Sequence, residues 1–96
     1  MITLMVDYQP FSNSNIFAVI DGREEVYSIN SSSVLYNLAG NILHQAGLLR
    51  NLYLEHADEI KVRVRAAEDF YNELSKIVQT HKHYSNLPIT MERIEE

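Results

Sequence analysis

From Ile2 to Tyr8 the chain alternates, with Ile2, Leu4, Val6 and Tyr8 at one parity and Thr3, Met5 and Asp7 at the other. Successive side chains of a strand point to opposite faces, so this pattern predicts a strand that begins almost at the first residue. The segment QPFSNSN that follows combines Pro10 with Ser and Asn residues, which bond their own backbone and favour a loop. Two β-prone runs, NIFAVI and REEVYSI, then flank Asp21-Gly22. Asp and Gly tolerate the positive φ angles of a tight turn, so the two runs are predicted to form a hairpin.

At Asn30–Ser33 the sequence NSSS offers side-chain oxygens to the free N–H groups of a helix start. Val34, Leu35, Leu38, Ala39, Ile42, Leu43 and Ala46 recur at helical spacing, and Gly47 is the expected stop. The short run NLYLEH, with Leu52 and Leu54 opposite Tyr53 and Glu55, reads as a strand.

Glu59–Val78 requires a choice between one helix and a strand followed by a helix. At ~100° per residue a single helix would put Arg63 inside the apolar stripe and Val62 nearly opposite it. As a strand, Ile60, Val62 and Val64 share one face and Lys61, Arg63 and Arg65 the other; from Ala66 onward Ala67, Phe70, Tyr71, Leu74, Ile77, Val78 and His81 form a helical face. Strand then helix is the preferred reading. Pro88 favours an extended conformation before it, and residues 87–96 read either as an acidic tail or as an added edge strand. The expectation is one α+β domain over residues 1–86. It has an antiparallel sheet of about four to five strands, in the order β-β-β-α-β-β-α, with both helices on one face.

Composition narrows the function classes. A chain of 96 residues buries only ~60–70% of its unfolded surface, a reason to self-associate. The formal net charge of -5 argues against general affinity for a polyanion, whose binding relies on Lys and Arg displacing counterions. With no cysteine there is no disulfide, thiol nucleophile or thiolate metal site. The opening MITLMVD lacks the features of a secretory signal, so a cytoplasmic location is expected. Val26–Leu49 is uncharged and long enough for a membrane span, but its four Ser, three Asn, Gln and His make it too polar for one.

Candidate chemistry is sparse. His81 and His83 are two apart, whereas a helical metal pair is spaced i and i+4, so neither a metal nor another cofactor is expected. Neighbouring acids such as Glu24 and Glu25, or Glu68 and Asp69, do not make a pair across a cleft. No nucleophile elbow, zinc-protease motif or phosphate-cradling loop is present.

Two features remain. Lys61, Arg63 and Arg65 form a possible anion-binding stripe, with Tyr53 expected on a neighbouring strand as a stacking surface and Glu55, Glu24 or Glu25 as competing cross-strand partners. The other feature is the uncharged outer face of the first helix: Tyr36, Asn37, Gly40, Asn41, His44 and Gln45. Interface cores are depleted in charge, which makes this face a candidate interface. The resulting expectation is a small acidic interaction protein, homodimeric through this face, that inhibits or regulates another protein or complex, of the kind mobile elements encode. The competing expectation is a small RNA- or nucleotide-processing enzyme with His44 as acid or base and Lys61, Arg63 and Arg65 holding phosphate.

Overall fold

The computed structural model describes residues 1–23, 27–81 and 86–95. Three strands, β1 (Ile2–Asp7), β2 (Ser14–Ile20) and β3 (Tyr27–Ser31), lead into helix α1 (Leu35–Leu52). A 3-10 turn (Leu54–His56), strand β4 (Ile60–Arg65), helix α2 (Glu68–Thr80) and strand β5 (Ile89–Ile94) complete the fold. The strands form one five-stranded sheet in the order β3-β2-β1-β4-β5.

β1 pairs antiparallel with β2, and β2 with β3, whereas β1–β4 and β4–β5 are parallel. The sheet is therefore mixed, a correction to the antiparallel expectation. Parallel neighbours need a crossover connection, and both helices serve as one: α1 carries the chain from β3 to β4, and α2 from β4 to β5. The fold class stands as α+β, but the order is β-β-β-α-β-α-β. Within the segment read as a tail or an edge strand, Ile89–Ile94 form the parallel edge strand β5.

The expected strand at NLYLEH does not form. α1 runs through Gly47 to Leu52, and the 3-10 turn follows. Leu52 and Leu54 are each 72% exposed, so no sheet face takes up their alternation. A helical glycine ends a helix only when it turns left-handed, and Gly47 does not have a positive φ. The Asp21-Gly22 turn does form: Arg23 N–H donates to Ile20 C=O at 3.0 Å, and Asp21 and Gly22 have φ of 50° and 76°. Two central positive φ values match the type I′ turn that suits strand twist.

Both helices lie on one face of the sheet. Ile2, Leu4, Val6, Ile16, Ala18, Ile20, Ile60, Val62 and Val64 point to them and join Leu38, Ile42, Leu43, Ala46 and Leu74 in a single core. Each strand's alternate residues lie on the opposite, helix-free face. The serines before α1 act differently from the expected cap. The helix N-cap is Val34, with no side-chain cap bond, while Val34 N–H donates to Ser32 Oγ at 3.1 Å. Ser33 instead secures the β1–β2 loop: its hydroxyl meets Ser14 Oγ at 2.9 Å and reaches the carbonyls of Gln9 and Ser12. At the same end of the sheet Tyr8 stacks on Phe70 with ring centroids 3.8 Å apart, tying the end of β1 to α2.

Candidate functional site

α1 has 18 residues, and its buried set, Leu38, Ala39, Ile42, Leu43, Ala46 and Leu49, occupies the half facing the sheet. At ~100° per residue the other half contains Gly47, Gly40, Asn51, His44, Asn37 and Leu48 within a ~100° arc. His44 stands close to the middle of that arc, with Tyr36 and Leu52 at its two margins. No Asp, Glu, Lys or Arg occurs between Leu35 and Leu49.

Of the six residues expected on this face, Tyr36, Asn37, Gly40 and His44 are exposed, whereas Asn41 and Gln45 are half-buried toward β3. Asn41 Nδ2 donates to Ser31 Oγ at 2.7 Å, so Asn41 joins α1 to the edge strand. The face also includes residues that sequence reasoning left out. Leu48 is 43% exposed and Leu52 72%, and exposed Tyr53 and Leu54 continue that apolar strip beyond the helix, while the expected Tyr36, 73% exposed, stands apart near the helix start. The signal for Leu48 and Leu52 was present in their helical spacing, but the expected stop at Gly47 and the strand assigned to NLYLEH concealed it.

Several surface hollows flank the strip, one of them, of about 300 Å³, lined by Asn51, Leu52, Tyr53, Leu54, Glu55 and His56. A depression of about 240 Å³ is lined by Tyr27, Gln45, Leu48, Leu49, Leu52 and Tyr53, and a shallower one of about 180 Å³ by His44, Gly47, Leu48 and Asn51. The Tyr27 hydroxyl at the 240 Å³ hollow is buried without a hydrogen-bond partner, and burial pushes it up to about 12, so it stays protonated at neutral pH. Beside Gly40 the surface is open: a Cβ placed there would meet no atom within 4 Å.

The cationic stripe lies on the other side of the molecule. Lys61, Arg63 and Arg65 project from β4 on the helix-free face, because Ile60, Val62 and Val64 point to the helices. His44 faces outward from the helix layer, so one chain does not bring its imidazole and the stripe together. Tyr53, expected beside the stripe, is instead the C-cap of α1. On β1 the residues that share the cations' face are Thr3, Met5 and Asp7, aligned with Lys61, Arg63 and Arg65, and Phe17 of β2 is aligned with Met5. Met5, Val6, Asp7, Phe17 and Arg65 line a hollow of about 150 Å³ there.

Glu92 of β5 stands 3.8 Å from Lys61 Nζ and 3.6 Å from Arg63 Nε, so cross-strand pairing engages two of the three cations. The partner is Glu92 and not Glu55; Glu24 and Glu25 lie outside the described residues. The Arg63 contact is an ion pair without a hydrogen bond, since Nε is buried with no hydrogen-bond partner. Partly exposed pairs of this kind contribute at most ~1 kcal/mol each.

A third polar cluster joins Met1, Asp21 and His56. The Met1 ammonium donates to Asp21 Oδ1 and lies 3.6 Å from Asp58 Oδ1, while His56 Nδ1 contacts Asp21 Oδ2. The hydrogen bond to the ammonium holds Asp21 below the usual carboxylate range, and the same bond raises the amino terminus above its ordinary value. This cluster joins the β2 turn to the connection before β4. Among the described residues no group of three or more His, Asp and Glu side chains could hold a metal. The pair His81–His83 extends past Lys82, outside the described residues. No helix among the described residues is long and apolar enough to cross a membrane.

The geometry thus concentrates exposed apolar area on the α1 side and paired charge on the open sheet. No protein-family model matches the chain, and no curated protein matches it.

Proposed function

We propose that this protein is a non-catalytic interaction module that self-associates across the uncharged face of α1 and regulates or inhibits another protein by binding it. The observation that carries this reading is the uncharged face itself, with no charged residue from Leu35 to Leu49 and with exposed Leu48 and Leu52 toward its C-terminal end. A helix face that only meets water ordinarily carries Lys and Glu, whereas the core of an interface excludes them.

A second copy is the favoured occupant on electrostatic grounds. The chain carries a net charge of -5, and two copies placed broadly together repel, but a contact confined to residues 35–49 brings no charged side chain of either copy into it. A strongly charged partner would leave its own ions desolvated there without a counter-ion. α1 is ~27 Å long, and Tyr53 and Leu54 extend the strip, giving reach toward the ~800 Å² per partner of a stable complex.

The test is sedimentation equilibrium through the micromolar range. The native protein is expected to dimerise, and Leu48→Glu to remain monomeric with an unchanged helical signal. A native protein that stays monomeric over that range overturns the proposal. The enzyme alternative receives no geometric support, because His44 and Lys61, Arg63 and Arg65 occupy opposite layers.

A further inference from the structure

A strand at the edge of a sheet turns one row of backbone N–H and C=O groups away from its neighbour, and an extended chain is what matches such a row. The sheet has two edges, β3 and β5. β5 is defended: Pro88 stands just before it and Glu92 and Arg93 lie within it, and proline and charge discourage pairing at an edge. β3, with the sequence YSINS, has neither. Its register with β2 runs from Tyr27 to Ser31 without a bulge, and its outer backbone groups take no partner among the described residues.

The hollow of about 240 Å³ lies beside this edge, because Tyr27, the first residue of β3, lines it together with Gln45, Leu48, Leu49, Leu52 and Tyr53. We propose that the outer edge of β3 and this hollow together bind an extended segment of another protein, which pairs as a sixth strand and places an apolar side chain in the hollow. Backbone pairing supplies affinity for an extended chain, and a pocket at an alternate position selects the side chain. The inference rests on that half of the proposed function in which the chain binds another protein, and it does not require self-association.

The chemistry of the segment follows from its surroundings. Tyr27 and Ile29 pack against the core on the helix side, while Ser28 and Asn30 are exposed on the open side, where Ser28 Oγ donates to Asn15 Oδ1 at 2.9 Å. A strand added beside β3 repeats that alternation, so one parity lies along α1 and its hollow and the other meets water. No charged residue lines the hollow, and a Lys or Glu placed there would be desolvated without a counter-ion. The fitting segment therefore alternates small polar residues with aliphatic ones. The β3 strand of a second copy matches this less well. Its inner side chains are engaged within their own chain, Tyr27 and Ile29 on the core and buried Ser31 with Asn41, which leaves none to enter a neighbour's hollow.

The probe is a capped heptapeptide alternating threonine and leucine, added up to millimolar concentration to isotope-labelled protein. The hollow shares Leu48 and Leu52 with the strip proposed for self-contact, so the protein is kept dilute. Amide hydrogen exchange at the outward groups of β3 is expected to slow by about tenfold or more at saturation, with resonance shifts at Gln45, Leu48 and Leu52 and none along β5. The same peptide with a central proline, which lacks a donor and breaks the ladder, is expected not to bind. Leu52→Ser, at a side chain 72% exposed in the native fold, is expected to weaken binding about tenfold. No binding at millimolar peptide, binding that maps to β5 or to the open sheet face, or equal binding of the proline peptide overturns the inference. Protection of β3 that grows with protein concentration in the absence of peptide shows a second copy on the edge and overturns the choice of occupant. A chain that dimerises through α1 and ignores the peptide overturns this inference alone, whereas one that binds the peptide and stays monomeric overturns self-association alone.

Discussion

Asn41 Nδ2 donates to Ser31 Oγ over 2.7 Å, joining the middle of α1 to the last residue of edge strand β3. Ser31 is buried, so the bond cannot be replaced freely by water. Asn41 thus belongs to the frame that holds α1 on the sheet, although its neighbours in sequence belong to the exposed arc. Asn41→Ala is expected to lower stability by about 1–2 kcal/mol, the range for leaving a buried hydroxyl short of a partner. Urea denaturation at a concentration where the chain is monomeric measures it, and a change below a few tenths would show that Ser31 finds another donor.

Gly40 separates the stability of one chain from the contact between two. Alanine there meets no atom within 4 Å and favours the helix, so Gly40→Ala is expected to stabilise the monomer by about 0.8–1 kcal/mol. If a second α1 packs over this position, the added methyl weakens the dimer at the same time. Thermal melting of dilute protein together with sedimentation would show opposite signs for the two effects.

α2 is held to the core by only two fully buried residues, Leu74 and Val78, with Phe70, Tyr71 and Ile77 partly buried around them. Leu74→Ala is expected to cost about 2–5 kcal/mol through lost burial and the cavity left behind. Gln79→Ala, on the exposed side of the same helix, should stay within about 0.5 kcal/mol. Denaturant midpoints for the pair check the assignment of the helix face.

The Met1–Asp21 contact predicts a pH window. Asp21 is depressed in the folded chain, so its contribution is present above the ordinary carboxylate value and is lost as pH falls through the folded one. The Met1 ammonium is raised, so its contribution is present below the ordinary amino value and is lost as pH rises through the folded one. The pair is intact between roughly pH 4 and pH 8. Asp21→Asn keeps a residue that tolerates the positive φ of this position and should flatten the melting temperature on both flanks of that window. An unchanged profile would show the contact to be energetically silent.

Several of these relationships were legible along the chain. Alternation placed β1 and β4, the Asp-Gly pair placed the turn after β2, and the 3.6-residue period placed the buried faces of α1 and α2. Each signal is local, and a strand or helix that must bury one face displays its period whatever else surrounds it. The pattern failed where it was shortest. Four residues around Leu52–Glu55 satisfy a strand period as readily as the last turn of a helix, and only the packing of α1 against the sheet extends it through Gly47 to Leu52.

That extension changed the site. It added Leu48, Leu52 and the 240 Å³ hollow to the uncharged face. The cationic stripe shows the same division. Its three residues and their common face were visible from alternation, but the counter-ion of Lys61 and Arg63 is 29 to 31 positions away in sequence and becomes a neighbour only because α2 returns β5 parallel to β4.

The sequence by itself determined which residues seek shelter from water, which faces they form, and that one helix face carries no charge. These follow from side-chain hydrophobicity and the repeat of the backbone, which act within a few residues. Only the tertiary structure decided strand direction, the pairing of Glu92 with Lys61 and Arg63, and the separation of His44 from the stripe by the thickness of the sheet. Those depend on where two crossover helices return the chain, a choice made by packing a shared core and not by any segment alone.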